Sequence, residues 1–257
     1  MKNDKMNLTR HTYAEQPEVA LQVFQSVKQH AWKCGFVFED DTVRLLGPRL
    51  ENEFADYQFV LRDADAENAI VAVGHCLPFY WDAPLTELPA RGWDAIVERA
   101  IADRDAGREP NTLTAIEVSV AQAYQGKGVS RHLIESMRTT ARQHGFSTLV
   151  APVRPSLKAS YPLTPMERYV AWTTADQAPF DPWIRTHWRL GARIVKVAPQ
   201  SMRVTGTIAD WERWTQLQFP DSGDYVVPGA LAPITIDRER DQGIYIEPNV
   251  WMQHAVT

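Results

Sequence analysis

A chain of 257 residues can bury a core without disulfide or metal staples, and 44% apolar with 23% charged residues is an ordinary globular balance. A net charge of −5 argues against nucleic acid as a partner. No apolar run reaches membrane-span length, the start MKNDKMNLTR lacks a signal-type core, and Cys34 and Cys76 have no metal-site spacing, so the expectation is a cytoplasmic protein with two buried thiols, no membrane and no metal.

Residues 1–16 are polar and read as extended or frayed. After Pro17, the residues Leu21, Phe24, Val27 and Ala31 share one helical face, with Gly35 past the end. Glu39, Asp40 and Asp41 form an acidic run that reads as a solvated turn or as an attractor for a cation. Residues 42–54 predict a short helix weakened by Gly47-Pro48. Tyr57, Phe59 and Leu61 alternate with Gln58, Val60 and Arg62, which predicts a half-buried strand, and residues 70–80 predict its antiparallel partner. Trp93, Ile96, Val97, Ala100 and Ile101 then mark an amphipathic helix, which covers the sheet or walls a pocket.

The stretch 112–145 carries the strongest signal. An apolar β-branched run, residues 113–120, leads into the turn Gln125-Gly126-Lys127-Gly128-Val129-Ser130 and then into a segment with Val129, Leu133, Ile134, Met137 and Ala141 at helical spacing. A first helical turn leaves its N–H donors unpaired, and the macrodipole adds partial positive charge there. Gly126 and Gly128 let an anion approach the backbone, and Lys127 and Arg131 flank it. A plain strand-to-helix turn is the alternative reading.

These residues resemble the acyl-CoA pyrophosphate signature of the GNAT acyltransferase superfamily: Gln or Arg, two residues, Gly, one residue, Gly or Ala. Gln125 and Gly128 match; Ser130 departs from the final Gly or Ala, though it is small and its hydroxyl adds a donor. The resemblance implies an α/β (α+β) fold: a mixed, mostly antiparallel central sheet flanked by helices. It implies cofactor contacts from Val118, Ser119 and Val120 at the strand end and from Gln125, Gly126, Lys127, Gly128, Val129, Ser130 and Arg131 in the loop. It also implies that the backbone N–H groups of Val118 and Val120 hold the thioester oxygen where the central strand splays.

Residues 146–153 predict the next strand. In the family a helix with cofactor contacts starts after it, where Ser156 and Lys158 fall. Four prolines make residues 160–182 a long loop with one short helix at 166–172. Asp181-Pro182 cap a helix that ends at Gly191. Strands follow at 194–197 and 202–208, separated by a turn at Pro199. Residues 1–210 are taken as the acyl-CoA domain and 211–257 as a C-terminal extension packed on it.

The resemblance places His187 where the family carries a tyrosine that protonates the departing thiolate. Read alone, His187 is a histidine at a helix C-terminus, favoured by the dipole. The form Asp181, Pro182, Arg185, His187, Gly191, Ala192 is similar to the GNAT-like decarboxylating and loading domains of polyketide synthases, where the hydroxyl role would fall to Ser156. For N-acylation, Glu117 is the candidate base; a solvated strand charge is its alternative. Arg138, Arg142, Arg154, Arg185 and Arg189 read mostly as solvated charges, with some as candidates for the cofactor's ribose phosphate or a carrier prosthetic arm. The expected activity is transfer of an acetyl or other short acyl group from CoA to a small-molecule amine. The alternatives are malonyl-CoA decarboxylation or loading of an acyl carrier protein, and a non-catalytic acyl-CoA sensor.

Overall fold

A computed structural model describes residues 6–23, 26–27 and 34–256. In chain order the elements are β1 Leu8–Thr12, α1 Val19–Val23, α2 Asp41–Glu53, β2 Gln58–Asp63, β3 Ala69–Phe79, α3 Gly92–Asp105, β4 Thr112–Val120 and α4 Val129–Gln143. Then come β5 Thr148–Val153, α5 Met166–Val170, α6 Pro182–Arg189, β6 Arg193–Gly206, α7 Ile208–Thr215, β7 Gly223–Tyr225, β8 Ile234–Asp237 and β9 Gln242–Ala255. The strands form one sheet in the order β1-β2-β3-β4-β5-β9-β8-β7, with β6 on the other edge of β9. β4 and β5 are parallel, and every other pairing among the described residues is antiparallel.

Helices cover both faces. On one, Leu133, Met137 and Ala141 of α4 and Ile184 of α6 pack on Leu113, Leu149 and Met252. Burying each large aliphatic side chain contributes about 1.5–3 kcal/mol. On the other, Ile96, Val97 and Ala100 of α3 pack on Leu77, Phe79 and Trp251. The predicted helix over residues 92–105 is thus a cover for the sheet, with one polar role described below. Cys34 and Cys76 are free and buried. Among the described residues, no helix is long and apolar enough to cross a membrane.

Several expectations need correction. Residues 8–12 are an ordered edge strand, not a frayed end. The face of α1 that turns inward carries Val19 and Val23, with Val27 beyond it, while Leu21 is 84% exposed. Phe24 and Ala31 lie outside the described residues. Asp40 is not solvated: its carboxylate accepts from Thr42 N and Val43 N as the cap of α2 and from Arg203 N of β6. β6 runs unbroken through Pro199, and the expected turn survives only as a register shift against β9 between Ala198 and Met202, with a second shift between Ile194 and Lys196. Residues 211–257, read as an extension packed on the same domain, supply β9, which lies between β5 and β6 inside the sheet.

Candidate active site

β4 and β5 pair only at Leu113 with Leu149 and Thr114 with Val150. Beyond that point β4 stays on β3 and β5 stays on β9, so a gap opens between them. A bulge begins the divergence. His75 faces Glu117 and Cys76 faces Ala115, which leaves Ile116 as the extra residue on β4. Trp93 of α3 holds the bulge open: its Nε1 donates to Ile116 O at 2.9 Å. Past the bulge, Ala121 N donates to Val71 O of β3. Antiparallel alternation then turns Ser119 and Glu117 N–H toward β3 and those of Val118 and Val120 toward the gap. Gln125 Nε2 donates to Val120 O at 3.1 Å from that side.

The loop after β4 ends at Gly128, the N-cap of α4, with φ +83°; Gly126 has φ +75°. An L side chain is strained at both, and the space a Cβ would enter is open. No side chain caps α4, so its first-turn donors remain for an anion. Arg131 N is spent on Gly128 O. Lys127 Nζ stands 5.1 Å from the centre of the Tyr124 ring, beside the loop. An uncapped helix start, two left-handed glycines and a nearby lysine give the turn the polarity a diphosphate needs, and the residues present fit the coenzyme the motif implies.

On the α1 and α3 side of the gap, Glu117 belongs to a chain of four polar side chains. Ser119 Oγ donates to its Oε1 at 2.9 Å. His75 Nδ1 meets its Oε2 at 3.1 Å, and His75 Nε2 meets Tyr13 Oη at 2.9 Å. The Glu117 side chain is 13% exposed. Burial, then Glu117 and Glu51, raise the Tyr13 phenol above its ordinary range, so it keeps its proton.

His187 sits on the α4 side and is buried. Its Nδ1 bonds His254 Nε2 at 2.9 Å, and Trp183 packs edge-on at 4.3 Å. His254 is the register partner of Leu149, which places the pair level with the closed end of the gap. His187 Nε2 is buried without a hydrogen-bond partner. Burial, then His254, hold the His187 pKa well below its ordinary value; burial, then Arg138, bring His254 to about 4.

The remaining candidates divide. Ser156 is exposed past β5, and its N–H donates to Asp181 Oδ1. Lys158 turns inward, where Nζ donates to Tyr161 O and Leu231 O, and burial lowers its pKa. Its side chain is committed to the interior rather than to the phosphate loop. Asp181 also accepts from Leu157 N, Trp183 N, Ile184 N and Tyr169 Oη, which ties the loop after β5 to the start of α6. Arg154 pairs with buried Glu247 of β9 and donates to Gly229 O; Arg185 donates to Pro179 O and Phe180 O. Sequence reasoning missed His75, Tyr13, His254 and the Trp93 contact, because each depends on elements far apart in the chain meeting in the fold. Among the described residues, no group of three or more His, Cys, Asp or Glu side chains is placed to hold a metal ion.

Comparison with known proteins agrees with this geometry. Residues 24–164, more than half the chain, match the acetyltransferase (GNAT) family. An arginine N-acetyltransferase, AvaD of Aspergillus versicolor, is 35% identical over 226 residues, 79% of this chain and 77% of that one. Two solved structures share the fold at low identity. The loading GNAT-like domain of CurA from Lyngbya majuscula has a TM-score of 0.57 at 15% identity, covering 98% of each chain. The GphF GNAT-like decarboxylase in complex with isobutyryl-CoA has a TM-score of 0.56 at 14% identity, covering 98% of this chain and 100% of that one. A splayed strand pair, a glycine-capped anion cradle and a relative of this identity lead to one conclusion: the chain belongs to the GNAT acetyltransferase family and is an N-acetyltransferase that binds coenzyme A.

Proposed function

We propose that this enzyme transfers an acetyl group from acetyl-CoA to the α-amine of arginine. The relative at 35% identity supports arginine as acceptor. Chemistry selects the nitrogen. A guanidinium, with a pKa above about 12, keeps its proton near neutral pH, whereas an α-amine titrates far closer to it.

The observation that carries the reading is the Glu117 carboxylate, held by Ser119 and His75 on the stretch of β4 that borders the gap. Glu117 takes a proton from the bound amine, directly or through one water. Val118 and Val120 turn their N–H groups toward the charge that develops on the thioester oxygen. Gly126, Gly128, Val129 and Ser130 supply backbone donors for the diphosphate. His187 supports the leaving sulfur through Nε2 as a neutral imidazole. A thiol pKa near about 8.5 makes that help modest.

The test is coenzyme A release with acetyl-CoA over a panel of amines, with malonyl-CoA in parallel and the acetyl position read by fragmentation mass spectrometry. Arginine-dependent thiol release with acetyl on Nα supports the reading. Carbon dioxide release from malonyl-CoA without amine, or binding without turnover, contradicts it.

A further inference from the structure

His75 is not among the residues the pyrophosphate motif or the splay would nominate, yet it is the direct neighbour of the candidate base. It sits opposite Glu117 at the bulge, buried to 4% exposure. It shares its side of β3 with Val73 and Leu77, which pack with α1 and α3 respectively. Its two ring nitrogens have different partners, and those partners determine where the proton lies. A carboxylate only accepts, so Nδ1 must carry hydrogen toward Glu117 Oε2. The neutral ring then has a bare Nε2, which accepts from the Tyr13 hydroxyl. Both oxygens of Glu117 are thereby directed, one by His75 and one by Ser119.

We infer that His75, its tautomer fixed by Glu117 and backed by Tyr13, is a positioning residue for the acetyl-transfer base: it holds Glu117 in place on the strand that borders the gap and keeps it ionised. The inference rests on the base role proposed above for Glu117. The arrangement is the logic of a carboxylate that orients a catalytic histidine, with the order reversed so that a histidine orients a carboxylate. Among the described residues, the titratable groups placed against His75 include Tyr13 after β1, Glu117 on β4 and, through Tyr13, Glu51 on α2. Gln58, its register partner on β2, is neutral, and Val19 and Val23 of α1 bring no charge.

The experiment measures kcat/KM for amine-dependent coenzyme A release against pH in His75→Ala, His75→Asn and Tyr13→Phe. Glu117→Gln is the control. Withdrawing a donor from a carboxylate raises its pKa, so the acidic limb of His75→Ala should move up by about one pH unit. His75→Asn places an amide N–H where Nδ1 was and should return the limb to its wild-type position. Tyr13→Phe removes the donor that backs Nε2, loosens the ring against Glu117, and should move the limb the same way by less. The KM for acetyl-CoA should stay within about twofold throughout, because binding energy there comes from other groups. An acidic limb that stays put in all three variants overturns the inference. So does a loss of activity equal at every pH and not recovered by asparagine. If His75→Ala does not fold, the limb of Tyr13→Phe decides. Wild-type activity in Glu117→Gln would remove the base reading itself. An inactive Glu117→Gln beside unmoved His75 limbs removes only the role given to His75.

Discussion

His75 and His187 are buried to similar depth, at 4% and 3% exposure, on opposite sides of the same sheet, and their neighbours differ in charge. His75 touches a carboxylate and a phenol. His187 touches a second histidine, and that histidine lies near Arg138. A buried imidazole beside a carboxylate can tolerate positive charge; one beside another imidazole and a guanidinium cannot. The comparison divides the labour. On the reading proposed here, proton removal falls to the Glu117 side, and His187 offers an uncharged ring with a buried, unpartnered Nε2.

The largest effect that could break this division is at Glu117. Glu117→Gln should lower kcat by about 10²–10⁴-fold with little change in acetyl-CoA KM, and the deficit should narrow at high pH as free amine accumulates. Steady-state kinetics across pH check it.

A smaller effect sharpens the other half. The folded pKa values of His187 and His254 lie below the unfolded value of 6.5. The unfolded chain therefore binds more protons, and stability falls as pH drops from 6.5 toward about 4. His254 alone accounts for roughly 3 kcal/mol over that window. Asp94, raised to about 8 by burial and then by Asp40, runs the other way: its contribution is complete below 3.8 and lost as pH rises through about 8. Urea titrations at stepped pH in an Asp94→Asn background isolate the histidine branch.

His187→Ala should lower turnover by about tenfold, well short of Glu117→Gln, because thiolate departure needs little acid. Equal losses at the two positions would erase the distinction. Trp93→Phe leaves the bulge carbonyl of Ile116 without its side-chain donor. It should destabilise the fold by about 1–2 kcal/mol and reduce kcat several-fold through a misaimed Glu117. Thermal melts and kinetics measured together check both.

Much of this site could be read before the fold was known, and the reason is local. Gly126, Gly128 and the first turn of α4 are neighbours in the chain, so their cradle is written in a few consecutive residues. Asp181-Pro182 likewise opens α6 as expected, with Asp181 accepting from Trp183 N and Ile184 N. β1 was missed because LTRHT is a polar edge strand with no apolar alternation. β9 reads in the sequence only as apolar pieces of an extension packed on the sheet, because residues 211–257 are few and rich in loop formers. In the fold Glu247 is fully buried, satisfied by Arg154, Tyr245 and Asn249. The Tyr13–His75 contact spans 62 residues and exists only once β1, β2 and β3 are in register. No local pattern announces it.

The claim on which the rest depends is that the coenzyme enters between β4 and β5 with its diphosphate on the α4 cradle. A crystal structure with coenzyme A tests it most directly. The account predicts phosphate oxygens within hydrogen-bond reach of the Gly126 and Gly128–Ser130 amides, and a thiol lying in the gap between Glu117 and His187. Phosphates bound elsewhere on the molecule, with the gap left open, would contradict it.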